Sequence, residues 1–311
     1  MSRAVFAAAV SLLALSAIAC QAQAASPADC TVAGLVQGGG MLDQENMKLN
    51  SSTLPVTNWV SGFGEVTANY GCASWWVQAD GAYYGFGATN SGLNFTESHF
   101  HGGGAAAWKI ADMANIGLAA SFIGQSSAAT PIGYSQSGAI FRLGGFVQIS
   151  PSDMFLVGFG AHHVGGTTPW LGDLTQNMAI DGWEGEAYIR FYPTENLALG
   201  LRGDLMHSTL SYAPSFFTAD YGGHAFSAEA EYLVPDTGLS LFAGARFANR
   251  VVSFGSNTDV NDDTQEYIGF RFAFGPPANT TLRNRDFNGN YDNTSVFQEK
   301  LPDLGGTAPF T

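Results

Sequence analysis

Charged residues are scarce in this 311-residue chain, where Asp, Glu, Lys and Arg make up 12%, against about a quarter of an average soluble domain. Basic residues are scarcest, with 12 Lys and Arg against 26 Asp and Glu, so nucleic acid is not a predicted partner. A single long uncharged apolar run, residues 4–19, argues against a bundle of transmembrane helices. The glycines lack the period of three of collagen. Glycine (39 residues) and aromatics (13%) are abundant instead, which favours β-strands over disorder.

The apolar run at the start predicts a secretory signal peptide. It follows Arg3 and precedes the Ala-x-Ala sequence at 22–24, so we expect residues 1–24 to be removed. A transmembrane anchor is one alternative, although it needs about 20 apolar residues. A lipoprotein signal at Cys20 is another, although Ala17 stands where Leu is usual.

Beyond residue 24, apolar residues recur with a period of two. The residues on one face of each predicted strand are apolar, with aromatics at the ends. The residues on the other face are rich in glycine and carry charges of both signs. A soluble sandwich is the alternative, but these features are typical of an all-β transmembrane antiparallel up-and-down β-barrel, whose closure leaves no unpaired edge in lipid. The clearest segments are 140–149, 183–191, 197–205, 226–234 and 239–247.

Turn signals predict about twelve strands, with ten or fourteen as alternatives. Short turns rich in Pro, Asp, Asn and Gly alternate with longer polar connections, including 40–58, 89–95, 128–132 and 253–263. The barrel is expected to occupy residues 25–274, and 275–311 to be a periplasmic tail, either disordered or folded into the lumen. The predicted strands are 31–39, 59–70, 75–88, 96–110, 116–127, 133–149, 154–165, 181–192, 197–211, 223–234, 239–252 and 264–274.

The last strand carries a family resemblance. Residues 267–274 alternate aromatics and end in Phe274, which resembles the C-terminal insertion signal of bacterial outer-membrane β-barrels; 192–199 is similar to turns of small porin-like and OmpA-like barrels. The resemblance implies an integral protein of a Gram-negative outer membrane, with its termini in the periplasm and lipid and lipopolysaccharide around it. It also implies insertion by the barrel-assembly machinery through the Phe274 strand. Unlike most relatives, this chain continues past the aromatic, to residue 311.

A disulfide is predicted between Cys30 and Cys72. Cys30 opens the first predicted strand and Cys72 lies in the turn after the second, at the same rim. Export places both residues where disulfides persist.

Because alternate residues of a strand point to opposite faces, the pattern places the charged side chains on the face that lines the lumen. They form either an ion-pair network that holds the barrel shut or the wall of a selective pore, because twelve strands lie between filled barrels of about eight and open ones of about sixteen. Four arginines, at 190, 202, 246 and 271, would bind an anionic solute in an open lumen. The predicted lumen residues are Arg142, Arg190, Arg202, Arg246, Arg271, Glu184, Glu186, Asp204, Glu229 and Glu231.

The remaining acidity is assigned largely to the outer mouth. An acidic entrance would attract cations and share divalent ions with lipopolysaccharide phosphates. The acids assigned to it are Asp43, Glu45, Asp173, Asp181, Asp220, Asp259, Asp262, Asp263 and Glu266.

No catalytic residue, metal site or cofactor is predicted, since the sequence lacks a P-loop, a dinucleotide fingerprint, a CxxC pair and a nucleophile elbow. His207 resembles the histidine of the His-x-Ser pair of outer-membrane lipid hydrolases, but Thr209 replaces the serine. His99 and His101 lack the further ligands that a metal site needs. The sequence favours a narrow passive channel for small solutes. The alternatives are a closed structural or loop-displaying barrel and an outer-leaflet lipid hydrolase using His207.

Overall fold

Twelve antiparallel strands form a closed up-and-down barrel, which confirms the predicted fold class. The computed structural model describes residues 30–49, 52–53, 56–90, 93–110, 113–130, 134–168, 177–212, 217–255, 257–275 and 281–287. The predicted signal peptide, most of the predicted tail and Asp173 lie outside the described residues.

Each strand pairs with its sequence neighbour, and the last strand closes the barrel by pairing with the first, from Gly34 opposite Phe274 to Leu49 opposite Asp259. A two-residue strand, β2, pairs with the end of β1 outside the barrel count. The elements are β1 (Thr31–Leu49), β2 (Ser52–Thr53), β3 (Thr57–Gly71), β4 (Trp75–Asn90), β5 (Leu93–Ile110), β6 (Ala114–Thr130), β7 (Tyr134–Ser152), β8 (Phe155–Thr168), β9 (Met178–Thr194), β10 (Leu197–Tyr212), β11 (Phe217–Leu233), β12 (Leu239–Phe254), β13 (Asn257–Phe274) and a short helix, α1 (Leu282–Phe287).

Cys30 and Cys72 are joined in a disulfide, as predicted. The bond lies beside the first backbone pair of β1 and β3, Thr31 opposite Gly71. We call this end of the barrel, which also holds the end of β13, the disulfide end, and the opposite end the far end.

The strands continue further toward the far end than predicted. They run for up to 19 residues, whereas about 9–11 cross a bilayer. The predicted loops at 40–58 and 253–263 are wrong, because β1 reaches Leu49 and β13 begins at Asn257. The loops at 89–95 and 128–132 are likewise mostly strand. Polar residues predominate on both faces of much of these outer parts, as in residues 43–46 and 257–263. The two faces therefore lack the contrast that marks a strand in lipid, yet the backbones still pair.

The outer surface has an apolar belt followed by a polar section. On β10, Leu199, Leu201 and Leu205 point outward with 44%, 52% and 66% of their surface exposed. Further toward the far end, the exposed Thr209 lies between the exposed Asp181 of β9 and Asp220 of β11. Along β10 the outer surface therefore changes from apolar to polar, as expected where a strand of an outer-membrane barrel leaves the hydrocarbon region.

Candidate functional site

All ten predicted lumen residues lie on the inner face of the barrel, because the inward and outward positions alternate without interruption along β7, β9, β10, β11, β12 and β13. Most of them form two ion-pair clusters. We name these the Glu231 cluster (Glu231, Glu229, Arg190 and Arg271, with Arg285 of α1) and the Glu186 cluster (Glu186, Glu184, Asp204, Arg142 and Arg202).

Glu231 is buried at the centre of three guanidinium groups. Its carboxylate accepts hydrogen bonds from Arg190 Nη2 at 2.8 Å, Arg271 Nη1 at 2.6 Å and Arg285 Nη1 at 2.6 Å. Ser240 also donates to it. A carboxylate with 1% of its surface exposed is tolerated only when paired in this way. Glu231 therefore ties β9 and β13 to the helix that follows the barrel.

The Glu186 cluster links β7, β9 and β10. Glu186 accepts hydrogen bonds from Arg142 Nη2 at 3.1 Å and Arg202 Nη2 at 2.7 Å. Arg202 Nε donates to Asp204 at 2.9 Å, and Arg142 Nε lies 3.3 Å from Glu184. Arg142 is 1% exposed, so its charge holds the wall together and does not face open lumen.

Three acids assigned to the outer mouth are instead buried inside the barrel, which corrects that prediction. Asp263 lies 3.1 Å from Arg250, the indole N–H of Trp59 donates to Glu45 at 2.9 Å, and Asp43 is 1% exposed. Continuing the parity of β13 past Gln265 would have found Asp263. Asp263 was assigned to the outer mouth because residues 253–263 were predicted to be a loop.

Helix α1 lies inside the disulfide end of the lumen. Leu282 N–H donates to the Glu195 carbonyl at 3.1 Å, Tyr192 donates to Asp286 at 2.9 Å, and Asn115 donates to the Phe287 carbonyl at 2.9 Å. Leu282 and Phe287 pack against inward side chains of the barrel. Within the described residues, no helix is long and apolar enough to cross a membrane.

Arg285 is the main charged contact between α1 and the barrel wall. It bonds Glu231 through two nitrogens, at 2.6 and 2.8 Å, and also contacts Asp286 at 2.8 Å. Burial opposes its charge, but Asp286 and Glu231 outweigh burial and hold the pKa of Arg285 above its ordinary value. The guanidinium therefore stays charged, and its contact with Glu231 persists across the pH range in which Glu231 is ionised.

An aromatic wall covers the side of the lumen where β12, β13, β1 and β3 meet. The Phe63 ring stacks on Tyr84 at 6.0 Å between centroids and approaches Phe242 at 6.2 Å. Phe63 and Phe242 reach each other because Gly39 and Gly269 stand between them in one cross-strand row. A Cβ on Gly39 would come within 2.8 Å of the Phe63 ring, so the glycines provide the space.

A cavity of about 190 Å³ lies between this aromatic wall and the ion pairs. The rings of Phe63, Tyr84, Phe242 and Tyr267 line it, together with four arginines and three carboxylates. Some of the charged residues lie beside the rings, as Arg271 does over Phe242, and others come from β9, β10 and β11. The charged residues that line it are Arg190, Arg202, Arg246, Arg271, Glu65, Glu229 and Asp286. The predicted anion-binding arginines thus face one cavity, together with aromatic residues that the sequence analysis did not select.

The histidines do not form a reactive site in the described residues. His207 is exposed on the outer face, and neither its ring nor the Thr209 hydroxyl makes a hydrogen bond there, whereas a hydroxyl nucleophile needs an oriented base. His99 lies 2.8 Å from Glu97 and His101 lies 3.4 Å from Asp80. In this part of the chain, no group of three or more His, Cys, Asp or Glu could hold a metal ion.

The known proteins that resemble this chain do so in structure. No protein-family model matches the sequence, and no curated protein matches it. An outer-membrane channel from Pseudomonas putida F1 aligns with a TM-score of 0.53 and 8% identity, over 80% of this chain and 97% of that one. The translocator domain of the autotransporter NalP from Neisseria meningitidis aligns with a TM-score of 0.45 and 9% identity, over 86% of this chain and 96% of that one. With its closed twelve-strand architecture and apolar belt, the chain has the fold of bacterial outer-membrane β-barrel proteins.

Proposed function

We propose that this protein is an integral outer-membrane barrel that acts as a narrow passive channel for small solutes. The observation that carries the proposal is the cavity in the lumen, with its charged wall and its aromatic wall. Buried ion pairs are often no more stabilising than well-packed apolar residues. A barrel that served only as a closed structural element would not need buried ion pairs. A path for polar solutes needs charged groups along its wall.

Transport in this proposal is diffusion without chemistry or cofactor. Solutes pass between the two walls of the cavity in this proposal, and α1 narrows the disulfide end. The charges nearest the solute set its selectivity. The guanidinium groups of four arginines line the cavity, whereas the carboxylates of Glu231, Glu186 and Asp204 that pair with three of them are buried behind the lining. At the cavity surface, small anions are therefore favoured over cations.

The same proposal includes the orientation of the barrel in the outer membrane. The disulfide end, with Phe274 opposite Gly34 at the barrel seam, faces the periplasm, where the barrel-assembly machinery would engage the last strand. The far end faces outward. There, the exposed carboxylates of Asp181 and Asp220 lie on the outer surface and suit divalent cations shared with lipopolysaccharide phosphates.

A planar-bilayer recording of the full chain tests the channel. We expect small, discrete current steps and, in a KCl gradient, a reversal potential on the anion-selective side. Arg246→Gln should reduce the anion preference because it removes one charge from the cavity wall. Lys109→Gln, which removes a base that does not line the cavity, should leave the preference unchanged.

Two results would contradict the proposal. A folded protein that inserts but passes no current supports the closed structural barrel. A cation preference that Arg246→Gln does not alter would show that the current follows another path.

A further inference from the structure

Two arginines and a serine form one row across the charged wall of the cavity. Ser227 of β11 stands opposite Arg202 of β10 and opposite Arg246 of β12, and all three line the cavity. Neighbouring strands lie about 4.8 Å apart, so the two arginine backbones are separated by about 10 Å with one small hydroxyl residue between them. This spacing lets two guanidinium groups approach a single carboxylate from opposite sides, a strong charge-assisted arrangement.

The existing contacts of these arginines are compatible with a further anion. Among other contacts, Arg202 holds Asp204 and Glu186 at 2.9 and 2.7 Å, and Arg246 lies 3.4 Å from the amide oxygen of Gln265. A guanidinium has five N–H donors in a planar fork, so one that already binds a carboxylate can bind another. Glu186 and Asp204, which pair with Arg202, are buried and do not line the cavity, so the arginine faces a ligand there and its partner carboxylates do not.

The aromatic wall begins next to this row. Gly244 is the inward residue before Arg246 on β12, about 7 Å away along the strand, and the Tyr267 ring lies directly over it. The Tyr267 and Phe242 ring centroids are 6.2 Å apart, and the Arg271 guanidinium lies 4.1 Å from the Phe242 centroid. An apolar ring bound against these aromatics would therefore place an attached carboxylate near Ser227.

The cavity has room for a ligand with a single ring. Its volume of about 190 Å³ exceeds the roughly 150 Å³ of an engineered protein cavity that holds benzene. The difference leaves room for one small acidic group.

We propose that the cavity binds single-ring carboxylates, aromatic or alicyclic, with the ring on the aromatic wall and the carboxylate between Arg202 and Arg246 at Ser227. The inference rests on the proposed channel function, since it names the class of solute that the channel selects. The binding itself is an equilibrium property and is measured without current.

The test is a ¹⁹F NMR titration of 4-fluorobenzoate with the full chain in detergent micelles, with empty micelles as the blank. We expect saturable binding that Arg246→Gln weakens about tenfold. Ser227→Glu should abolish binding, because it places a carboxylate in the anion position, and Lys109→Gln should leave it unchanged. Circular dichroism of each variant verifies that the barrel has folded.

Competition on the unaltered protein keeps the test independent of the variants. Unlabelled benzoate should displace the probe, whereas benzyl alcohol, which lacks the charge, and acetate, which lacks the ring, should each compete about tenfold less well. Equal competition by all three, or no saturable binding, would overturn the inference. Binding without conductance would contradict the channel alone, and conductance without binding would contradict the ring-carboxylate site alone.

Discussion

Replacing Glu231 with Gln is expected to lower the free energy of unfolding of the barrel by about 3–5 kcal/mol. The substitution keeps the shape of the side chain but removes the negative charge that faces Arg190, Arg271 and Arg285, all within 2.8 Å. Three partly buried guanidinium groups would then repel each other, and Glu229 and Asp286 are the counter-charges that remain beside them among the described residues. Urea unfolding of the protein in lipid vesicles, followed by tryptophan fluorescence, measures the loss.

The matched control is Glu266→Gln. Glu266 lies on the outer face of β13 and is exposed, so its replacement removes the same charge without disturbing a buried pair. Surface substitutions of this kind usually change stability by about 0.5 kcal/mol or less. Equal effects of the two variants would show that the Glu231 cluster does not hold the barrel and α1 together.

Ending the chain after Gly275 is expected to raise the single-channel conductance several-fold. The truncation removes α1, whose Leu282, Asp286 and Phe287 occupy the disulfide end of the lumen. It leaves Phe274 as the penultimate residue, so the strand that closes the barrel is intact. Glu231 keeps Arg190 and Arg271, which should allow the shortened barrel to fold.

A second truncation, after Phe287, separates the helix from the residues that follow it. It retains every contact of α1 with the barrel, so its conductance should equal that of the full chain. If the shorter chain conducts no better than the full one, α1 does not narrow the path. If the truncation after Phe287 gives the whole increase, the constriction belongs to the later residues.

The parts of the fold that face lipid could be predicted, because lipid imposes a contrast between the two faces of a strand. The alternation in 183–191 places Glu184, Glu186 and Arg190 inside, and the structure agrees. At the far ends of β1 and β13 polar residues predominate on both faces, so the alternation is lost and the sequence resembles a loop. Asp43, Glu45 and Asp263 were misplaced for that reason.

Contacts across the lumen could not be predicted, since they depend on the register of closure. Phe63 and Phe242 become neighbours only because Gly39 of β1 pairs with Gly269 of β13, and a run of glycines carries no periodicity that would fix that pairing. The tail presents the same difficulty. Nothing in a short polar helix indicates that Arg285 will bond Glu231, 54 positions earlier in the chain.

Modification of a cysteine at Ser227 during a planar-bilayer recording tests most directly that solutes pass through the cavity. The described native cysteines, Cys30 and Cys72, are joined in the disulfide, so Ser227→Cys introduces a reactive thiol on the cavity wall. A bulky cationic methanethiosulfonate reagent should then abolish most of the current. The same reagent should leave the current unchanged in Thr209→Cys, whose side chain is exposed on the outer face. An unblocked current through labelled Ser227→Cys would contradict the account.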